Sequence, residues 1–242
     1  MHFSSDRLAR IRTMEGWHFW FRSREERLLS LLDLWRGAPD GRVLDMGCGT
    51  GHLSRTLRAR RETVISLDMR FEPCVDAFGT DGLSPVQADA VRLPFATGSF
   101  TTIVALDILE HVDDRAALDE MARVLAAGGQ LFLTVPALTA LWSYRDHAAG
   151  HQRRYNRTGL AQRVRAAGLD VLYVSYFQFF LLPLVWLSRL AGRTTSRASD
   201  IEERPRPLIN ATLLRCNRIE NRLSARVQWP LGSSLILVGR KP

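Results

Sequence analysis

The stretch "VLDMGCGTGH", Val43 to His52, sets three glycines at alternate positions directly after a short apolar run. A glycine turn between a strand and a helix lets ligand oxygens approach the backbone and the helix N-terminus. The dinucleotide fingerprint G-x-G-x-x-G would need glycine at position 52 after Gly47 and Gly49, and His52 stands there. The pattern present is D-x-G-x-G-x-G, built from Asp45, Gly47, Gly49 and Gly51. Asp45 is suited to bonding the turn amides, a role compatible with ligand binding. Asp68 ends the next apolar run, where a carboxylate can accept both hydroxyls of a ribose. Asp89, with the backbone of Ala90, ends the run after that, where it can read an adenine edge. Met69 either packs beneath such a base or fills a gap.

A second cluster, "SYRDHAAGHQRRY", holds Tyr144, Asp146, His147, His151, Arg153, Arg154 and Tyr155. Imidazole titrates near neutral pH, which makes His151 the first candidate for a general base and His147 the second. Tyr155 completes the catalytic candidates. Tyr144, Asp146, Arg153 and Arg154 are the candidates for holding substrate, one of the two arginines meeting an anionic part of it. The plain alternative is that these side chains pair with one another and fasten the loop. Asp146, His147 and His151 also offer metal donors, but Gly150 interrupts a helical pair, and no metal is expected.

These residues need elements to carry them. Ser23 and Glu26 form a capping box, predicting an amphipathic helix over "RLLSLLDLW" that Gly37, Pro39 and Gly41 end. Apolar runs then alternate with helical patterns: "VLDMG", a helix over about 51–60, "TVISLD", a helix near 72–78, "PVQAD" and "FTTIVALDIL". A helix follows from Asp113 or Asp114 to Gly128-Gly129, then the strand "QLFLTVPA". Strands alternating with helices imply a parallel sheet covered on both faces. After Pro136 the rhythm breaks into a long polar and aromatic loop, a helix over 160–167, and the strand "LDVLYVSYF". The apolar stretch 171–187 contains Gln178 and Pro183 and falls short of the roughly 20 residues of a membrane span. It reads as a strand running into an apolar helix, whose Phe/Leu/Trp face could touch a membrane surface. A polar linker over 192–207, the helix "LINATLLRCNRIENRL" and the final strand "SSLILVGRK" close the chain.

Composition narrows the chemistry. The 242 residues are 46% hydrophobic and 24% charged, which suits one full α/β domain, or one domain with an elaborated lid. The single lysine, Lys241, argues against Schiff-base and pyridoxal phosphate catalysis. Three scattered cysteines make neither a metal pair nor a disulfide framework, and the N-terminus lacks a signal pattern, so a reducing, cytoplasmic setting is expected. The net charge of +8 is lopsided: residues 151–242 hold 16 Lys+Arg against 5 Asp+Glu, while residues 1–150 hold 17 against 20. A basic C-terminal third suits phosphates, acidic substrates, an anionic membrane surface, or simply a solvated face.

Four motifs, "VLDMGCGTG", "QADAVRLPF", "SFTTIVALDILEHV" and "RVLAAGGQLFLTVP", cover residues 41 to 136 in order. In them the chain resembles the class I S-adenosylmethionine-dependent methyltransferases, especially the group containing the quinone-biosynthesis methyltransferases. "HFWFRSREERLL" and "LWSYRDHAAGHQRRYNRTGL" resemble segments of a bacterial subgroup more loosely. The resemblance implies a Rossmann-like three-layer sandwich with a seven-stranded, mostly parallel sheet and an antiparallel last strand. It implies S-adenosyl-L-methionine as cofactor, with Gly47, Gly49 and Gly51 along its methionine and ribose. Asp68 would then bind the ribose, Asp89 the adenine, and the segment after Leu106 would line the sulfonium. His111, beside Glu110, is given a structural role. The position after the fourth strand reads "LDILEH" and lacks the Asn/Asp-Pro-Pro-aromatic motif of base amino-methylating enzymes, which argues against nucleic acid as substrate.

The expected organisation is an N-terminal lid and helix over 1–40 and a methyltransferase domain over 41–242, with acceptor-side insertions at 137–157 and 177–230. In the lid, Trp17, Phe19, Trp20 and Phe21 would cover the cofactor while Arg22 or Arg24 meets its carboxylate. The alternative is an aromatic staple that packs the first helix. The expected activity is methyl transfer to an oxygen or nitrogen of a small metabolite or natural-product intermediate. N-methylation of a peptide α-amine, and a non-catalytic cofactor-binding protein at a membrane surface, are the alternatives. A nicotinamide oxidoreductase is disfavoured by His52. The oligomeric state is left open.

Overall fold

The computed structural model describes residues 5–35, 41–60, 62–70, 85–191 and 205–242. Helices α1 (Ser5–Met14) and α2 (Phe19–Trp35) precede strand β1 (Arg42–Met46). Then follow α3 (His52–Ala59), β2 (Thr63–Asp68), β3 (Pro85–Gln87), β4 (Phe100–Leu106), α4 (Asp114–Val124) and β5 (Leu125–Pro136). A 3₁₀ turn (Thr139–Leu141), α5 (Tyr144–Ala149), α6 (Arg157–Ala166), β6 (Asp170–Phe177), α7 (Leu182–Ala191), α8 (Pro207–Leu223) and β7 (Ser234–Arg240) complete the described elements. The helix expected near 72–78 and most of the 192–207 linker lie outside the described residues.

The seven strands form one sheet in the order β3-β2-β1-β4-β5-β7-β6. β7 inserts between β5 and β6 and runs antiparallel to both, as expected of the last strand. Alternate strand residues enter opposite layers. Leu44, Ile103, Leu131 and Leu237 pack towards Leu118, Met121 and Val124 of α4. Their neighbours Val43, Val104, Phe132 and Ile236 pack towards Leu28, Leu31 and Leu32 of α2 and Leu57 of α3. Covered on both sides, β5 is buried without interruption from Gly129 to Pro136, which explains its continuous apolar sequence. Because β1 is flanked by β2 and β4, the connections leave it in opposite directions, and the crevice of an open α/β sheet opens there.

Two helix ends differ from expectation. α2 begins at Phe19, and Ser23 lies inside it, its hydroxyl donating to the Trp20 carbonyl at 3.2 Å. The N-terminus is capped from a distance instead: Asn210 of α8 accepts the Phe19 amide at 2.8 Å, and the His18 imidazole accepts the Trp20 amide at 3.2 Å. A tertiary partner has replaced the local capping box. Helix α4, capped at Asp113 by its own side chain, stops at Val124 rather than at the glycine pair. Gly128 and Gly129 lie in β5 beside a register shift against β4. Among the described residues, no helix is long and apolar enough to cross a membrane.

Candidate active site

A cavity of about 940 Å³ opens beyond the C-terminal ends of the central strands. One side of it is the glycine turn. Gly47, Gly49 and Gly51 all take left-handed backbone, with φ of 75°, 51° and 77°, a region side chains other than glycine rarely occupy. A Cβ on Gly47 would stand 2.0 Å from Ile108 Cδ1. The turn amides of Gly47 and Cys48 donate to the Leu67 carbonyl, and Gly49 N donates to Asp68 Oδ2 at 3.0 Å. Asp45 is buried and accepts the Ser54 hydroxyl at 2.5 Å, and burial pushes its carboxyl up to about 6.

Asp68 also accepts the Arg70 amide at 2.9 Å, so both its oxygens are oriented while each keeps a lone pair for a ligand. Asp89 accepts the Val91 amide at 3.1 Å, Ala90 is buried beside it, and Met69 is exposed on the rim. Leu106, Asp107 and Ile108 cross the floor. Asp107 is non-glycine with φ 55°; Arg24 and the Thr134 hydroxyl both donate to its carboxylate. Left-handed glycines, of which Gly47 has no room for a Cβ, with carboxylates at two successive strand ends, fit a nucleoside linked to an amino acid. Asp45, Gly47, Gly49, Asp68, Met69, Asp89, Ala90, Leu106 and Trp20 all line this cavity, while Gly51 caps α3 just behind it.

The N-terminal helices cover that half. Leu8 and Ile11 of α1 and Phe19, Trp20 and Phe21 of α2 face the cavity. They are tied to the turn by polar contacts: the Thr50 hydroxyl donates to Glu15, the Thr56 hydroxyl donates to Glu25 at 2.7 Å, and His52 meets Glu25 at 3.4 Å. The Glu25 hydrogen bond lifts the His52 imidazole above its usual pKa. The residue that breaks the dinucleotide fingerprint thus ties the N-terminal helices to the turn. Of the two arginines considered, Arg24 reaches the cavity, with its guanidinium 4.4 Å over the Trp20 ring. Arg22 instead pairs with Glu26 at 3.2 Å and does not line the cavity, which removes it from the cofactor set.

The other side is built from α5 and the segment after it. Ser143 and Asp146 make a capping box, which turns the expected loop into a short helix that left-handed Gly150 ends. That stop swings His151 inward, where Nδ1 lies 2.9 Å from Asp146 Oδ1 and Nε2 lies 4.0 Å from Glu110 Oε1. Asp146 is buried and also accepts Arg154 Nε at 2.7 Å. Burial alone would raise its carboxyl, but the His151 and Arg154 bonds outweigh it and hold Asp146 well below the usual range. Glu110 behaves oppositely. Both its oxygens are buried without a hydrogen-bond partner, and burial, with the Asp107 charge nearby, pushes it well above the usual range.

Several expected site residues point elsewhere. His147 is exposed, accepts Trp142 Nε1 at 2.9 Å and leaves the cavity lining. Tyr155 is buried, its hydroxyl donating to the Leu109 carbonyl at 3.1 Å and meeting Asp114 at 3.0 Å; burial raises its pKa and it faces no ligand space. Arg153 donates to the Leu109 and Val112 carbonyls, fastening that loop outside the cavity. Tyr144 contacts Arg145 at 3.2 Å and is likewise absent from the lining. His151, Asp146 and Arg154 remain. Sequence reasoning missed Asp107, Arg145, Gln178 and Arg189 and gave Glu110 no role, although a lone arginine in the apolar helix "LPLVWLSRLA" was a readable signal. No metal was expected, yet Glu110, His111 and His151 bring donor atoms within 4.8 Å of one another.

With this geometry in view, comparison with known proteins identifies the fold's owner. A model of the methyltransferase domain matches residues 17–174. The chain is 28% identical over 195 residues to 27-O-demethylrifamycin SV methyltransferase of Amycolatopsis mediterranei, covering 75% of this chain and 63% of that protein. It is 33% identical over 157 residues to demethylmenaquinone methyltransferase of Beutenbergia cavernae, covering 63% and 54%. Geranyl diphosphate C-methyltransferase of Streptomyces coelicolor shares the fold, with a TM-score of 0.63 at 16% identity over 91% of this chain and 79% of that one. The matches span between 41% and 63% of the length of several such curated relatives. The chain belongs to the methyltransferase-domain family, the S-adenosylmethionine-dependent enzymes of class I fold.

Proposed function

We propose that the protein transfers a methyl group from S-adenosyl-L-methionine to a nucleophilic oxygen or nitrogen of a small metabolite or natural-product intermediate, with His151 as general base. The observation that carries this reading is the Asp146–His151 pair, at 2.9 Å, in the wall of the same cavity that the glycine turn lines. When bound, S-adenosyl-L-methionine supplies an electrophilic methyl on a sulfonium. Gly47, Gly49, Asp68 and Asp89 would hold it, under the lid of Trp20 and Leu8.

Methyl displacement needs an aligned nucleophile about 3–3.5 Å from the carbon, so positioning supplies much of the catalysis. An acceptor that begins protonated must also lose its proton. With Nδ1–H donated to Asp146, the Nε2 of His151 is the basic nitrogen, and the carboxylate stabilises the imidazolium that forms. Asp146 suits that task because its neighbours keep it ionised. Burial pushes the neighbouring Glu110 carboxyl well above its usual range, which disfavours a second negative charge beside it. The described parts of segments 137–157 and 177–230 would form the acceptor side, and helices α1 and α2 the lid.

Replacing His151 with alanine should lower turnover by about 10²–10⁴-fold while leaving affinity for S-adenosylhomocysteine unchanged. His147→Ala should leave turnover at the wild-type level. Dialysis against a chelator should also leave it intact; a loss restored by a divalent cation would transfer the role of Glu110, His111 and His151 to metal binding and sink the base reading.

A further inference from the structure

Three arginines from separate segments converge beside His151: Arg145 on α5, Arg154 after it, and Arg189 near the end of α7. Arg154 is anchored by Asp146 through Nε and by the Ala137 carbonyl through Nη1 at 2.8 Å. Arg189 donates through Nη1 to the Ser143 hydroxyl, while its Nε is buried with no acceptor. Burial, followed by the charges of Arg154 and Arg145, pushes the Arg189 guanidinium down to about 10. Among the described residues, Asp146 is already shared by Arg154 and His151 and Asp107 is taken by Arg24, while burial pushes the Glu110 carboxyl well above its usual range. Like charges gathered in a partly desolvated wall are costly unless an anion joins them. Planar guanidinium forks match phosphate and carboxylate oxygens.

The same helix supplies a second feature. Leu184 and Val185, with Leu181 just before α7, line the cavity next to Arg189, and Trp186 and Leu187 carry the apolar character outward. From these observations together we infer that the methyl acceptor is an amphiphile: an oxyanion head, phosphate or carboxylate, seated on Arg145, Arg154 and Arg189, with an apolar body along α7. The inference rests on reading this cavity as the acceptor pocket of a methyltransferase. It also disfavours a protonated peptide amine as the group held at this wall, since Arg24, Arg70, Arg145, Arg154 and Arg189 all line the cavity.

The test is calorimetric titration of the protein saturated with S-adenosylhomocysteine, using dodecyl phosphate below its micelle concentration, dodecanoate, dodecanol and inorganic phosphate. Dodecyl phosphate or dodecanoate should bind at least tenfold more tightly than dodecanol or inorganic phosphate, the tighter of the two naming the head. Arg189→Gln and, separately, Arg145→Gln should each weaken the charged amphiphile by about tenfold or more and leave dodecanol unchanged. Equal binding of dodecanol and the charged amphiphiles would overturn the inference. So would inorganic phosphate binding as tightly as dodecyl phosphate, or equal losses for charged and neutral ligands in both variants. Saturation with S-adenosylhomocysteine is measured first: its failure would count against the methyltransferase reading, whereas its success without anion preference would remove only the amphiphile.

Discussion

Asp68 and Glu110 are two carboxylates put to opposite uses. Asp68 is oriented by the Gly49 and Arg70 amides and stays available to a ligand. Asp68→Ala should weaken S-adenosylhomocysteine binding by about 1.5–3 kcal/mol, the range for hydrogen bonds to a charged group, as read by calorimetric titration. Glu110 is sealed and without a hydrogen-bond partner. Its folded pKa lies well above the ordinary 4.5. Between those two values the native state holds a proton that the unfolded chain has released, so stability falls as pH rises through that window. Glu110→Gln, which cannot ionise, should flatten this slope. Melting temperatures of both proteins from pH 5 to 8 check it, and parallel curves would show that Glu110 does not titrate as its surroundings dictate.

At the scale of elements, the lid and the acceptor wall depend on tertiary ties more than on their own propensities. α1 is held by Glu15 on Thr50 and by Leu8 over the glycine turn. Removing residues 1–18 deletes α1 and leaves α2, which packs on α8 through Asn217, whose side-chain amide donates to the Ser23 hydroxyl, and through the Arg218–Glu26 pair. The truncated protein should melt cooperatively and lose at least tenfold in S-adenosylhomocysteine affinity, because the cavity would stand open to water. Unchanged affinity in a folded truncation would reduce α1 to packing. α5 shows the same dependence differently: a six-residue helix is too short to persist alone, and its Ser143–Asp146 box and Gly150 stop matter because they aim His151.

Across the whole molecule, the sheet separates stability from chemistry. Ile236 of β7 is fully buried on the α2 face, in the layer with Phe132 and Val104, and does not line the cavity. Ile236→Ala should cost about 2–5 kcal/mol of unfolding free energy in urea, with S-adenosylhomocysteine affinity unchanged while the protein remains folded. A matching loss of affinity would mean that the central layer and the site are coupled. β7 also explains why the C-terminal segment belongs to the core: it hydrogen-bonds along its length to β5 and β6, joining β6 to the rest of the sheet.

How much of this was legible in the sequence follows from the range of each interaction. Alternating apolar runs and helical patterns announced the α/β order, because side-chain periodicity is local and burial on both faces leaves strands continuously apolar. The glycines at 47, 49 and 51, with Asp68 and Asp89, were readable for the same reason: a left-handed turn between a strand and a helix demands glycine wherever it occurs. The start of α2 was not, since its caps come from Asn210 and His18 rather than from Ser23. Nor could composition sort the cluster at 144–155. Gly150 turns His151 inward and leaves His147 outside, while Tyr155 and Arg153 are consumed by the carbonyl of Leu109. Glu110 and Arg189 gain their meaning from neighbours 41 and 44 positions away, His151 for one and Arg145 for the other. The sequence by itself determined the scaffold and the glycine turn, where one local rule governs each residue. Which polar side chains face the acceptor was decided only by the tertiary structure, because burial and charge there are set by segments that meet only once the sheet has closed.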